Sequence, residues 1–108
     1  MGDFELWRKT FPEVSGAVMR MRNKSFSDGA IPAKYKVLMA LLVSVMEKCK
    51  PCAQSYYRKA LELGATDEEI KEVFEVAITM GACISETWAR EVWKYGRNIE
   101  NQGESCCK

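Results

Sequence analysis

The sequence of 108 residues contains no histidine. This absence excludes, within one chain, every mechanism that needs an imidazole base, including Ser–His–Asp triads and Cys–His pairs. It also removes the nitrogen ligand that most zinc sites use. Any chemistry of the chain therefore has to come from other side chains.

The sequence also lacks an excess of charge and a long apolar run. Its 16 basic and 15 acidic side chains leave a net charge of +1, so it has no broad basic footprint for nucleic acid or anionic membranes. No apolar run approaches the roughly 18 residues that cross a bilayer, and the acidic, polar N-terminus does not resemble a signal peptide. We therefore expect a cytoplasmic protein with no nucleic-acid or membrane partner and no cofactor.

Apolar residues recur at steps of three and four along almost the whole chain, and no segment alternates with period two. This pattern predicts an all-α fold, with a compact domain of about five helices over residues 1–96 and a polar, flexible tail over 97–108. The helix from Pro32 to about Lys48 is apolar on nearly all sides, so we expect it in the core or at a subunit interface. The other helices are expected to begin near Pro12, Pro51, Thr66 and Trp88.

Glycines and a capping motif predict where some of these helices end and begin. Gly64 is expected to stop the third helix by adopting the left-handed conformation. Thr66 and Glu69 fit a capping box, in which each side chain satisfies a free backbone N–H group of the other residue. Gly81 is expected to end or bend the helix that follows, so that a last helix extends to about Tyr95.

Two of the five cysteines form the motif Cys49-Lys50-Pro51-Cys52 at the predicted junction of two helices. A cysteine at a helix N-terminus lies near unpaired N–H groups, and Lys48 and Lys50 add positive charge, so the thiol pKa should fall. Pro51 fixes a first-turn geometry that keeps the two sulfurs close. We therefore predict that Cys49 and Cys52 carry out thiol–disulfide exchange, with Lys50 as a supporting residue and no metal.

The cysteines also allow other interpretations. The motif can supply half of a zinc site, although the remaining ligands must then come from Cys83, the tail or another subunit. Alternatively, the motif cysteines only pack. Cys83 is most simply a small buried residue, whereas Cys106 or Cys107 could bring a resolving thiol from the tail to the dithiol.

Segments on both sides of the dithiol carry a family resemblance. The run IPAKYKVLMAL (31–41), the dithiol, and the run ALELGATDEEIKEV (60–73) follow one another in this order. Over about residues 31–81 the chain resembles the carboxymuconolactone decarboxylase family, and more closely its alkylhydroperoxidase D-like branch. The resemblance implies an all-helical subunit in a homo-oligomer, either a trimer or a hexamer. It also implies an oxidoreductase of peroxidase (peroxiredoxin) type that reduces a peroxide or disulfide substrate with electrons from a protein or a small thiol.

The sequence departs from this branch where protons are relayed. The branch has a histidine four residues after the second cysteine and a glutamate on the preceding helix, and here Tyr56 and Val37 occupy these positions. A phenol with a pKa of about 10 is a poor base, so we expect Tyr56 to donate a hydrogen bond rather than to accept a proton. Glu47 and Glu86 are candidate substitutes for the carboxylate, although exposed surface charge explains both more simply.

These departures leave the order of attack and the function class open. The helix-start argument favours Cys49 as the attacking thiol, whereas the family motif places the activated thiol at Cys52. We predict that Cys52 is the thiol that reacts with the peroxide and that Cys49 is the resolving thiol. The alternatives are a redox-inactive binding or scaffold protein that lost the relay, a zinc-binding protein, and a lactone decarboxylase.

Overall fold

The computed structural model describes residues 2–102, with side chains described as far as Ile99. This part of the chain contains five helices and no strand, which confirms the all-α prediction. The helices are α1 (Asp3–Thr10), α2 (Pro12–Ser25), α3 (Ala33–Met46), α4 (Lys50–Glu62) and α5 (Asp67–Gln102). Among the described residues, no helix combines the length and the apolar character that a membrane span requires.

The core is built around α3, which packs against both α4 and α5. Val37, Leu41 and Ile70 are almost completely buried at this contact, because α3 is apolar on most of its surface and can pack against two neighbours. The buried cluster is completed by Leu38, Ala60 and Ala65. Since α3 is anchored on two sides, its C-terminal end provides a fixed starting point for α4.

The glycine helix end and the capping box between α4 and α5 form as the sequence predicts. The N–H of Thr66 donates to Glu69 Oε1 (2.8 Å), and the N–H of Glu69 donates to Thr66 Oγ1 (3.1 Å). Gly64 has a φ of +89°, and the N–H of Ala65 donates to the carbonyl of Ala60 at 2.9 Å. A capping box therefore opens α5 and a left-handed glycine closes α4.

The prediction that a helix ends at Gly81 is wrong, because α5 runs from Asp67 to Gln102 without interruption. The helix passes the expected end at Tyr95 and includes residues 97–102, the first part of the predicted tail. Gly64 is the glycine with positive φ among the described residues, so Gly81 keeps a helical backbone. A glycine inside a helix costs only about 1 kcal/mol relative to alanine, which a helix of 36 residues tolerates.

The structure also contains α1, which the sequence pattern did not predict. This helix has eight residues and none of them is buried. It is joined to α2 through Phe11, whose ring stacks on that of Trp7 with 4.4 Å between the centroids. A short helix held by local contacts has no buried stripe, and so it leaves no periodic signal in the sequence.

The second half of α5 has no packing partner in the part of the subunit that the structure describes. Every residue from Ala82 to Asn98 is exposed, including Trp88 at 70% and Trp93 at 62%. Cys83 lies in this segment and is also exposed. The expectation that Cys83 is buried is therefore wrong for the subunit, because no other described helix covers this part of α5.

Candidate functional site

The turn between α3 and α4 positions the first cysteine of the motif. Lys48 has a φ of 58°, the left-handed conformation that ends a helix. The N–H of Lys48 donates to the carbonyl of Val45 (3.2 Å), and the N–H of Cys49 donates to the carbonyl of Ser44 (2.9 Å). These bonds satisfy the last carbonyls of α3 in a Schellman motif. Cys49 is also the N-cap of α4, so a single residue closes one helix and opens the next.

Cys52 lies in the first turn of α4, close to Cys49. Their Cα atoms are 5.3 Å apart, and their Sγ atoms lie within disulfide-bonding distance. Pro51 stands between them in the first turn, where its missing N–H removes no bond that the helix would make. No side chain caps this helix start. The pair therefore lies at the positive end of the α4 dipole, an environment that stabilises a thiolate.

Cys52 opens on a cavity of about 640 Å³, which we call the groove. One wall is formed by α4, through Cys52, Ser55, Tyr56 and Lys59. These positions follow one another at steps of three, one and three, and so they share one face of the helix. The opposite wall is formed by α2 and its C-cap, through Met19, Arg22, Asn23 and Phe26, and the lining is completed by Phe4 and Pro51.

Tyr56 stands one helical turn after Cys52 and belongs to the lining of the groove. Its ring packs against that of Phe26 with 5.3 Å between the centroids, so the C-cap residue of α2 contacts α4 at this end of the groove. Tyr56 also packs against the buried cluster that contains Val37, which is itself fully buried. The position where the resemblance places a relay glutamate is thus part of the hydrophobic core.

Cys49 opens on a second, smaller cavity of about 230 Å³. Lys48 and Lys50 line it on either side of the cysteine in the chain, together with Ser44, Val45 and Ala53. No described residue lines both the groove and this smaller cavity. The two cysteines of the motif therefore line different cavities, Cys52 a large, partly apolar groove and Cys49 a small pocket with two lysines.

The remaining candidates from the sequence do not lie in these cavities. Glu47 is the exposed C-cap of α3 and lines neither cavity, and Glu86 is exposed on the unpacked half of α5. Cys83 lines a separate cavity on α5. Cys106 and Cys107 lie outside the described residues, so their predicted resolving role stays a prediction.

The described residues contain no group of three or more cysteine, histidine or acidic side chains that could hold a metal ion. Two ionisable groups with shifted pKa values, Lys34 and Glu69, lie at the helix starts rather than at the dithiol. The N–H of Thr66 and then the ammonium of Lys34 lower the pKa of Glu69. The hydrogen bond from Lys34 to Glu69 raises the pKa of Lys34. Because the two groups lie 3.1 Å apart, we interpret them as a link between α3 and α5.

Sequence reasoning did not identify Arg22, Asn23, Ser55 and Lys59 as residues of the site. A signal was present for the two on α4, since Ser55 and Lys59 follow Cys52 on the same helix face. For Arg22 and Asn23 the sequence contains no such signal, because only the tertiary placement of α2 puts them in the same groove as Cys52.

Comparison with known proteins identifies the chain. The model of the carboxymuconolactone decarboxylase family matches residues 12–95, which include both walls of the groove and the dithiol. The chain belongs to this family. A carboxymuconolactone decarboxylase family protein from Legionella pneumophila, solved in its apo form, is 30% identical, with a TM-score of 0.71 over 82% of this chain and 79% of that one.

Two further solved members of the fold show the same similarity. A protein from Methanobacterium thermoautotrophicum is 27% identical, with a TM-score of 0.74 over 80% of this chain and 97% of that one. A carboxymuconolactone decarboxylase family protein from Thermotoga maritima, which has been suggested to take part in an antioxidative response, is 25% identical. Its TM-score is 0.61 over 94% of this chain and 95% of that one.

Proposed function

We propose that this member of the carboxymuconolactone decarboxylase family is a thiol–disulfide oxidoreductase that uses Cys49 and Cys52. The observation that carries the proposal is the placement of both sulfurs within bonding distance at the start of α4, with Cys52 open to the groove. A dithiol at this position can cycle between its reduced and oxidised forms without a cofactor. The membership in the family and the antioxidative link suggested for the Thermotoga relative support a redox role.

The reductive half of the cycle needs only the two thiols and a disulfide. The thiolate of Cys52 attacks one sulfur of the substrate disulfide, which forms a mixed disulfide and releases the first thiolate. The thiolate of Cys49 then attacks the sulfur of Cys52, releases the second thiolate and closes the Cys49–Cys52 disulfide. In total the dithiol loses two electrons and two protons, and the substrate becomes two thiols. A dithiol of a partner protein, or two molecules of a small thiol, then reduces the Cys49–Cys52 disulfide; the donor thiols are oxidised to a disulfide and return the two electrons and two protons.

A hydroperoxide is a second possible oxidant of the same dithiol. The thiolate of Cys52 attacks the terminal oxygen, which gives a sulfenic acid and, after protonation, an alcohol; Cys49 then displaces water and forms the disulfide. The leaving alkoxide must take up a proton. The chain has no imidazole, and the described residues that line the groove include no carboxylate. Only weaker proton donors such as the Tyr56 hydroxyl face it, so we expect peroxides to react more slowly than disulfides.

We further propose that the functional unit is a homo-oligomer. The radius of gyration is 20.3 Å, whereas a compact chain of this length would have about 13 Å. The unpacked half of α5 exposes Ile84, Trp88, Val92 and Tyr95, which are spaced so that they form one stripe along the helix. Most helical stability in proteins comes from packing of such a face. A second copy of the chain offers an identical stripe and would cover this one.

The experiment that tests the proposal is a redox titration of the dithiol in glutathione or dithiothreitol buffers, with Cys83, Cys106 and Cys107 replaced by serine. Alkylation and mass spectrometry then report the Cys49–Cys52 disulfide alone. We expect reversible oxidation, and we expect disulfide turnover to be lost in Cys49→Ser and in Cys52→Ser. Cys83→Ser in the otherwise natural chain serves as the matched control and should keep full turnover, because Cys83 lies on another part of the molecule.

Two results would contradict the proposal. If the pair stays reduced across the buffer series and the protein turns over neither disulfides nor peroxides, the chain is a binding or scaffold member of the family. If both single serine variants keep the activity of the natural chain, the chemistry takes place elsewhere. In the second case the geometry of the α3–α4 junction has no catalytic role.

A further inference from the structure

The groove beside Cys52 carries positive charge only. Arg22 from α2 and Lys59 from α4 both line it, and no Asp or Glu within residues 2–99 belongs to the lining. Neither cation takes part in an ion pair within residues 2–99. In a chain with almost equal numbers of acidic and basic residues, these two exposed cations on α2 and α4 give the groove a positive potential, which attracts a negatively charged group.

The rest of the lining is partly apolar and aromatic. Phe4, Met19 and Phe26 lie on the α1–α2 side, and the ring of Tyr56 faces them from α4. Such surfaces favour the apolar part of a small molecule, while a few polar groups fix its orientation. A ligand that satisfies both features has an acidic group and an apolar body.

The position of Lys59 along α4 indicates the size of that ligand. Lys59 follows Cys52 by seven residues on the same helix face, which corresponds to on the order of 10 Å along the helix axis. The flexible side chain of Lys59 can shorten this distance by several ångströms. The acidic group is therefore separated from the atom that meets Cys52 by a chain of a few carbons or more.

We propose that the substrate of the dithiol is a small organic disulfide or hydroperoxide that carries a carboxylate on an apolar body. The carboxylate lies at Arg22 and Lys59, the apolar body lies along Phe26, and the reacting sulfur or oxygen lies at Cys52. This inference rests on the proposed redox function and adds the substrate class to it. The reduced protein and the disulfide give the oxidised protein and two thiols; the hydroperoxide gives the oxidised protein, one alcohol and one water.

The test compares acids with their neutral esters in single-turnover oxidation of the reduced protein. Dithiodibutyrate and its dimethyl ester form the disulfide pair, and linoleate hydroperoxide and its methyl ester form the peroxide pair. Cys83, Cys106 and Cys107 are replaced by serine so that Cys49 and Cys52 are the only thiols. Because no electron donor is needed in one turnover, the rate constant reports the substrate step alone.

The decisive variant is the double substitution Arg22→Gln/Lys59→Gln. The matched control is Arg20→Gln/Arg58→Gln, which removes the same two charges from the same two helices. Neither control residue lines the groove, and Arg58 faces a different cavity on the opposite side of α4. Both doubles have the same net charge, so a difference between them reports the groove rather than the whole molecule.

We expect the acid of at least one pair to react faster than its ester in the natural groove. One unit charge at contact distance in water changes a rate about fivefold. The Arg22→Gln/Lys59→Gln variant should therefore be oxidised by the acid at least about 10-fold more slowly, while its rate with the ester stays within about twofold. Salt should reduce the advantage of the acid, since the screening length shortens to about 8 Å at physiological ionic strength. The control variant Arg20→Gln/Arg58→Gln should react with the acid and the ester at the rates of the protein with the natural groove.

The outcomes separate the inference from the function that it extends. Preference for the acid in only one pair identifies a disulfide or a hydroperoxide as the substrate and supports the inference. Equal rates for acid and ester, or equal losses in the two double variants, overturn the charge inference while the redox function stands. Absence of reaction with all four compounds refutes the redox function and the substrate class together.

Discussion

Lys48 holds the turn that positions the dithiol, and its substitution by glycine should stabilise the protein. Its φ of 58° is in the left-handed region, which costs a residue with a Cβ about 1–2 kcal/mol. Glycine avoids this cost, but it loses about 0.4–1 kcal/mol through the greater freedom of the unfolded chain. We therefore expect Lys48→Gly to raise the free energy of unfolding by about 0.5–1 kcal/mol, or the Tm by about 2–6 °C.

Lys48→Ala is the matched control, because it removes the same charge and keeps the strained conformation. Gly64→Ala is the inverse test: Gly64 has a φ of +89°, and a Cβ added there would meet no atom within 4 Å. Its expected destabilisation of about 1 kcal/mol therefore reports the backbone conformation alone. Thermal unfolding followed by circular dichroism, with reductant present and protein concentration fixed, measures all three variants. If Lys48→Gly is no more stable than Lys48→Ala, the turn is not strained and the reasoning fails.

Four other substitutions test the fold and the assembly. Thr66→Ala should lower the free energy of unfolding by about 1 kcal/mol, because the N-cap of α5 is lost. Urea denaturation measures this change, and an unchanged midpoint would contradict the capping role. The lowered pKa of Glu69 means that its contribution is fully present above the ordinary value of 4.5 and is lost as pH falls through the lower folded value. Stability of Glu69→Gln should consequently fall less steeply below pH 4.5 than that of the natural chain, and parallel pH profiles would refute this. Leu41→Ala should cost about 2–5 kcal/mol because Leu41 is almost completely buried, and a loss below about 1 kcal/mol would place it outside the core. Trp88→Lys should shift the protein to a smaller species in analytical ultracentrifugation, whereas an unchanged mass would exclude the α5 stripe as an interface.

Local signals in the sequence were sufficient for several parts of the fold. Gly64 and the Thr66–Glu69 capping box act through backbone bonds that span only a few residues, so the ends that they set follow from residue type and spacing. The apolar surface of α3 likewise predicted its central position. The junction that carries Cys49 and Cys52 could be predicted for two reasons. Pro51 favours the first turn of a helix, and the helical spacing of apolar residues before and after it limits where one helix ends and the next begins.

Other features depend on contacts between distant segments and left no signal. Gly81 has the residue type of a helix end, but whether a helix stops there depends on the backbone conformation that its surroundings favour, and here α5 continues. Cys83 looks like a small buried residue in the sequence, yet it is exposed, and none of the five described helices packs over it. The charge beside Cys52 comes partly from Arg22, about thirty residues earlier in the chain, so the sequence pattern around the dithiol does not reveal it.

By itself, the sequence determined the helical fold, the family, the dithiol and its place at a helix start, because these depend on residue type and short-range spacing. The absence of histidine likewise followed from the sequence alone and removed imidazole from the chemistry. Only the tertiary structure decided which cavity each cysteine lines. The placement of α2 beside α4 puts Arg22 and Lys59 in the same groove as Cys52, and Cys49, after the left-handed turn at Lys48, lines a separate pocket. Such surroundings depend on which faces of distant helices meet, and a linear pattern does not specify that.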